Sequence, residues 1–379
     1  MKRLNIHIYP SQFKFESRIL KITESLITNN IVDEVVILAL PGESLPEWET
    51  IDEKRKVWRP AFISFGLQKG ILLKLLFLAQ YILKATFFAL RHPVKIVNSH
   101  SVNDLPLSYL LSLVTGAKLI YDPHELETEK KGLKRSSQKV YRVVERIFIH
   151  KAHHIFVVSD NIKTWYIQRY ALDEKRISVV KNIPKSFKAP QANNKFEKLL
   201  GLNNTDIKFL YQGGLFTGRG LPILLEAFSK VDQDKHLIIM GYGELERIVE
   251  DYSKKFSNIH YVPAVPPSEV LSYSCSADVG IALIENICLS YYYCMPNKLY
   301  EYYLAGIPSI VSNFPDMSEF VQAAQCGWTV NVDANEFKNL INNISKEEID
   351  KVKLFIRQSN NKLSWITEES KLITPYSSI

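Results

Sequence analysis

Three stretches of the sequence carry side chains whose types and spacing suit chemistry on a phosphorylated ligand. The first, Tyr211-Gln212-Gly213-Gly214-Leu215-Phe216-Thr217-Gly218-Arg219-Gly220, runs from an apolar strand into a glycine-rich turn that opens a helix at Leu221. Glycines at such a turn expose backbone N–H groups beside the positive end of a helix, and a guanidinium adds a planar fork for phosphate oxygens. Gly213, Gly214, Gly218 and Arg219 therefore make a candidate diphosphate cradle, although many glycine-rich turns serve only tight packing. The second stretch, Met240-Gly241-Tyr242-Gly243-Glu244, also follows a strand. Its Gly241 and Gly243 do not complete a dinucleotide fingerprint, because Glu246 stands where the third glycine belongs, and a nicotinamide dehydrogenase is disfavoured. In the third, Met295 to Pro308, Pro296 suits a first helical turn and Gly306 its exit, which crowds Asn297, Lys298 and Glu301 at the helix start. A carboxylate there can accept two hydrogen bonds from a ribose diol, and an acid in the first turn is also favoured by the helix dipole alone.

Two series of elements must position these stretches. Short apolar runs bounded by turn residues alternate with helix-length segments, the pattern of parallel sheets covered by helices. The first series predicts strands at 4–9, 34–39, 95–99, 117–121, 154–158 and 177–180. A second begins afresh at 207–212, 236–240, 258–262, 278–283 and 308–311. The polar stretch from Pro184 to Asp206 separates them, and the expected division is 1–186, 187–345 and a helical tail, 346–379, that packs back on the first domain.

With 379 residues, 46% apolar and 23% charged, the chain has room for two cores and is neither disordered nor a multi-span membrane protein. The excess of 47 basic over 40 acidic residues permits anionic ligands or an anionic membrane without requiring nucleic acid, which is not expected as a partner. Four cysteines without C-x-x-C spacing argue against a disulfide framework or zinc site and suit a reduced cytoplasm. The opening Met1 to Pro10 reaches proline before any signal-peptide core, and reads as a first strand.

Two helices raise the question of a membrane. Ile71 to Leu90 holds sixteen apolar residues in twenty, interrupted by Lys74, Gln80 and Lys84; its place inside the strand–helix series predicts a mostly buried helix rather than a span. From Ser136 to Lys151, Val140, Val143, Val144 and Ile147 share one face. Arg135, Lys139, Arg142 and Arg146 run along the other, either as a solvated face or as a dock for anionic lipid.

The ordered set of Tyr121-Asp122-Pro123-His124-Glu125-Leu126, the Gly213–Gly220 turn, Gly241-Tyr242-Gly243 and Pro296-Asn297-Lys298-Leu299-Tyr300-Glu301-Tyr302 resembles the family 4 glycosyltransferases over almost the whole chain. The resemblance implies the GT-B fold, an α/β architecture of two facing Rossmann-like domains with an interdomain cleft. It implies a nucleotide-sugar donor, UDP-linked by family habit, held mainly by the C-terminal domain and an acceptor held by the N-terminal one. It also implies transfer with retention and without a metal or other cofactor. By position, Arg219 matches the basic residue at the pyrophosphate, Glu301 the second Glu of the E-x7-E motif at the ribose, and Lys298 a helper at the diphosphate. His124 matches the histidine that reaches the donor sugar, and His100 occupies another strand-end loop. Three positions depart from the family. Tyr293 replaces the first Glu, with Glu285 or Asn286 as substitutes; Gly214 replaces an arginine; and Pro10-Ser11-Gln12-Phe13, with Arg18 nearby, replaces a glycine loop.

The expected function is hexosyl transfer to a glycan or lipid-linked acceptor in cell-surface polysaccharide synthesis, in the cytoplasm or peripherally on the inner face of the membrane. The alternatives are an epimerase or phosphorylase of the same fold, or a catalytically silent nucleotide-binding or scaffold subunit.

Overall fold

The computed structural model describes residues 2–14, 16–61, 70–185, 193–359 and 363–378, which form two compact units. One is Met1–Lys181 with Ile366–Ile379; the other is Asn182–Trp365. The division thus falls after Lys181, and residue 186 lies outside the described residues. The tail also divides differently from expectation, since residues up to Trp365 cluster with the second unit and only those from Ile366 onward with the first.

The first unit is built on eight strands: β1 (Leu4–Ile8), β2 (Glu34–Leu38), β3 (Trp48–Thr50), β4 (Arg55–Trp58), β5 (Val94–Ser99), β6 (Lys118–Tyr121), β7 (His154–Val157) and β8 (Ile177–Val179). They pair in the order β3-β4-β2-β1-β5-β6-β7-β8, all parallel except the β3–β4 hairpin. The hairpin is absent from the sequence reading because its strands are short, charged and partly exposed. Its turn is held by Asp52, which accepts from the Lys54 and Arg55 N–H groups. The helices are α1 (Ser17–Thr28), α2 (Ile71–Leu90), α3 (Leu105–Thr115), α4 (Arg135–Phe148) and α5 (Asp160–Tyr170).

Two helices of this unit are oriented against expectation. Helix α2 is not buried: among its described residues the fully buried ones are Tyr81, Ala85 and Ala89, and Leu72 is 77% and Leu83 68% exposed. In α4 the apolar stripe faces outward, with Val140, Val143 and Ile147 each more than half exposed, and the buried residue is Glu145. That carboxylate accepts hydrogen bonds from the Tyr121, Tyr166 and Tyr170 hydroxyls, so a polar knot takes the place an apolar seam would fill. Of the basic face, Arg142 pairs with Glu129 at 2.8 Å.

The second unit begins with α6 (Lys195–Leu200), then β9 (Ile207–Gly214), α7 (Leu221–Phe228), β10 (Lys235–Tyr242), α8 (Glu246–Lys255), β11 (Ile259–Pro263) and α9 (Pro267–Ser274). It continues with β12 (Val279–Ala282), α10 (Leu289–Tyr292), α11 (Asn297–Ala305), β13 (Ser309–Ser312), α12 (Pro315–Ala324), β14 (Gly327–Val330), α13 (Ala334–Asn343) and α14 (Lys346–Ser359). The final helix α15 (Trp365–Ser377) falls almost wholly in the first unit. The six strands pair in parallel as β11-β10-β9-β12-β13-β14 around a core that includes Phe209, Phe228, Ile239, Ile281 and Phe337. Strand β14 lies outside the expected series. In both sheets the strand order reverses beside the first strand, at β1/β5 and at β9/β12, and ligands of open α/β sheets bind outside the strand ends at such switch points.

Candidate active site

In the second unit the three motifs meet at the carboxyl end of β9. Strand β9 ends at Gly213 and Gly214 and β10 at Gly241 and Tyr242, and the two backbones come so close that a Cβ on Gly241 would lie 1.9 Å from the Gly213 carbonyl oxygen. Gly218 and Gly220 have φ of +87° and +72°, which lets the turn reverse into α7. Glu285 pins this turn: its carboxylate accepts from the Gly220 N–H at 3.1 Å, and its own N–H donates to Gly218. Glu285, one candidate for the missing first Glu, is thus committed to the loop backbone. Tyr293, half-buried, packs edge-on against Tyr292.

Helix α11 starts after Pro296 and ends at Gly306, φ +75°, as its sequence predicts. Its first turn delivers Lys298 to the switch point. The ammonium is buried, lies 3.5 Å from the centre of the Tyr211 ring, and finds no hydrogen-bond acceptor among the described residues. Burial and the neighbouring Arg219 cation lower its pKa to about 7, against the pull of Glu301. The Arg219 guanidinium rests over the Tyr291 ring at 4.6 Å. Glu301 accepts from the Gln212 side-chain amide, whose oxygen in turn accepts from Ser274. Asn297 accepts from Asn182 at 2.8 Å. Gly243, with φ of +155°, packs against the Leu215 backbone and places Glu244 to accept from the Thr217 N–H and hydroxyl. The second unit therefore brings together two cations, a tethered carboxylate and a glycine turn, the parts a nucleoside diphosphate needs.

The first unit gathers a separate cluster at β1/β5. Asp122 is buried and doubly bonded by the Arg18 guanidinium, which also donates to the Val180 carbonyl; this holds the carboxyl far below the usual carboxylate range. His100 is buried, with Nδ1 3.2 Å from both Asp122 Oδ2 and His124 Nε2, and Nε2 2.8 Å from His7 Nδ1. The bonding pattern fixes the His7 tautomer. The Asn5 amide nitrogen donates to Ile96 and Asn98, so its oxygen accepts from His7 Nε2–H, at 2.7 Å. His7 Nδ1 then accepts from His100 Nε2–H, while His100 Nδ1 faces the Asp122 carboxylate. His124 completes the cluster, its Nε2 3.7 Å from Asp122 Oδ2. Its ring stacks on Tyr9, and burial lowers its pKa to about 3, so it is neutral at physiological pH. His100, Asp122 and His124 bring three potential metal-ligand atoms within 4.8 Å, but Arg18 already takes up the carboxylate charge and His7 the far nitrogen of His100. Sequence reasoning missed Asn5 and His7. Their signal is two polar residues at i and i+2 on one face of an otherwise apolar strand.

Residues 33–183 match the family model described as Glycosyltransferase Family 4, and residues 206–347 the model described as Glycosyl transferases group 1. The chain has the GT-B fold, and each of its two halves matches a glycosyltransferase family model. The chain is 23% identical over 293 residues to chitobiosyldiphosphodolichol beta-mannosyltransferase of Kluyveromyces lactis. That match covers 68% of this chain and 64% of the relative, so the chain spans less than two-thirds of the relative's length. Among solved structures, its fold matches sucrose-phosphate synthase from Thermosynechococcus elongatus with a TM-score of 0.80 at 15% identity, covering 100% of this chain and 99% of that one. It matches Anabaena HepE in complex with UDP and glucose with a TM-score of 0.73 at 14% identity, each chain wholly covered.

Proposed function

We propose that this protein is a glycosyltransferase that moves a hexosyl group from a nucleotide-sugar, a UDP-sugar in the first instance, to a glycan or lipid-linked acceptor in cell-surface polysaccharide synthesis at the cytoplasmic side of the membrane. The observation that carries the reading is the buried, unpartnered Lys298 ammonium beside Arg219 and the Gly213–Gly220 turn. A buried cation without an acceptor is costly, and a diphosphate repays that cost. UDP as first choice is supported by HepE, a protein of the same fold whose structure holds UDP.

In this reading Glu301, oriented by Gln212, takes the ribose hydroxyls. Lys298, Arg219 and the N–H groups of the turn take the diphosphate and stabilise it as negative charge grows on departure, which supports a metal-independent transfer. The family resemblance assigns His124 to the donor sugar. Retention of configuration follows the family resemblance. The acceptor belongs to the first unit, where an open cavity of about 430 Å³ is lined by residues including Ser11, Gln12, Leu40, Lys74 and Phe77.

The test is thermal unfolding with UDP, GDP, CDP and ADP, each with and without divalent metal, for the wild type and Glu301→Ala. A ligand at a hundredfold excess over its Kd stabilises by about 2.7 kcal/mol. A metal-independent shift with one nucleotide, lost in the variant, supports the reading; no shift with any nucleotide overturns it. Glu285 being committed to Gly220 favours one second reading, a nucleotide-binding subunit that does not transfer. Nucleotide binding without turnover of any nucleotide-sugar would select it.

A further inference from the structure

Helices α2, α3 and α4 leave a broad apolar surface that no described part of the protein covers. The chain steps from β4 to β5, β6 and β7 in one direction across the sheet, so right-handed crossovers put the three helices on one face. Helix α2 packs on α3 and α3 on α4, where Tyr109 and Phe148 meet with ring centres 5.6 Å apart. From this layer Leu75, Leu83 and Phe87 of α2, Leu113 of α3, and Val140 and Val143 of α4 are each more than half exposed.

We infer that this face docks on an anionic phospholipid bilayer, its leucines, valines and phenylalanine entering the acyl boundary and its cations meeting the headgroups. Charge decides the occupant. The three helices carry a single acid, Glu145, which is buried, whereas Lys74, Arg135, Lys139 and Arg146 are exposed. A surface of large apolar side chains rimmed by one sign of charge suits an interfacial helix layer.

Length and composition alone would let α2 cross a membrane, and the packing of its C-terminal half argues against it. Tyr81, Ala85 and Ala89 are buried at helical spacing, and Phe88 lies 4.7 Å from the Trp58 ring of β4, so that half of the helix is fastened to the body of the first unit. It lies in the interface plane. The basic stripe by itself is the lesser part of the contact, since Arg142 is already spent on Glu129.

The experiment is flotation of the full chain with phosphatidylcholine vesicles, with and without phosphatidylglycerol, at low and high salt. The wild type is expected to float with the anionic vesicles. The variant Leu75→Glu/Leu83→Glu/Phe87→Glu should lose ~10-fold or more in partitioning, since each side chain exchanges apolar burial for a buried charge. The variant Arg135→Glu/Lys139→Glu/Arg146→Glu should lose the preference for phosphatidylglycerol. Hydrogen exchange on the wild type supplies a reading that needs no variant: vesicles should protect the amides of α2. Absent flotation, unchanged flotation of the leucine variant, or an unprotected α2 overturns the proposal. So does a concentration-dependent oligomer dispersed by the leucine variant, which gives the face to a second copy. Nucleotide-induced melting shifts on the same samples report the donor site separately, so the two readings fail independently.

Discussion

The Lys298 ammonium lies 3.5 Å from the centre of the Tyr211 ring and has no hydrogen-bond acceptor among the described residues. The ring face offers a cation a partial substitute for water, yet burial and Arg219 still bring the group to about 7 from an ordinary 10.5. Between these two values the unfolded chain binds the proton that the folded chain gives up, so this lysine's contribution to stability rises with pH across that window.

Binding an anion reverses the balance by restoring the proton. Nucleoside diphosphate binding should therefore take up a proton at pH above about 7, and the apparent affinity should fall as pH rises further. Calorimetry in two buffers of different ionisation enthalpy measures the uptake directly. Lys298→Met should abolish it and weaken the diphosphate far more than the nucleoside.

Gln212 acts on the nucleotide only through Glu301. Gln212→Ala removes the amide that orients that carboxylate and costs about 1 kcal/mol, several-fold in nucleotide affinity. The loss should vanish for a 2′,3′-dideoxynucleotide, which has no diol to lose. Titration calorimetry with the two ligands separates the outcomes.

Gly241→Ala should be severe, because its Cβ would stand 1.9 Å from the Gly213 oxygen, where only backbone can give way. Separating the ends of β9 and β10 should cost about 2–4 kcal/mol, seen by denaturant unfolding, and remove nucleotide binding even where the variant remains folded.

In the first unit, Arg18→Met leaves Asp122 buried and without its counter-ion. A loss of about 3–5 kcal/mol is expected. Because the carboxyl is held far below its ordinary 3.8, the wild-type pair contributes fully above that value and is lost as pH falls through the depressed one. The variant's deficit should accordingly be full at neutral pH and shrink in strong acid, as acid-unfolding curves would show.

The candidate donor site was legible because its signals are local. The positive-φ glycines of the turn before α7 lie in one short stretch, and the Pro296 start, the Gly306 exit and the charged first turn of α11 in another. Helix orientation was not. The spacing of Val140, Val143 and Ile147 says that they share a face, but not that the face looks outward; the inward contact of α4 is Glu145, held by tyrosines from β6 and α5. The same holds for α2, where the buried stripe is tyrosine and alanine and the leucines look away from the core. The histidine relay is long-range, since His7, His100 and His124 come from three separate strand–loop segments.

Tyr376, near the end of α15, takes a hydrogen bond from Asn98 at the centre of the first sheet and stacks on Phe156. That closes the first unit with residues made after the whole of the second. On the ribosome the second unit, an uninterrupted stretch from Asn182 to Trp365, has its whole complement of chain before the first unit has its final helix. The half synthesised first is the half completed last.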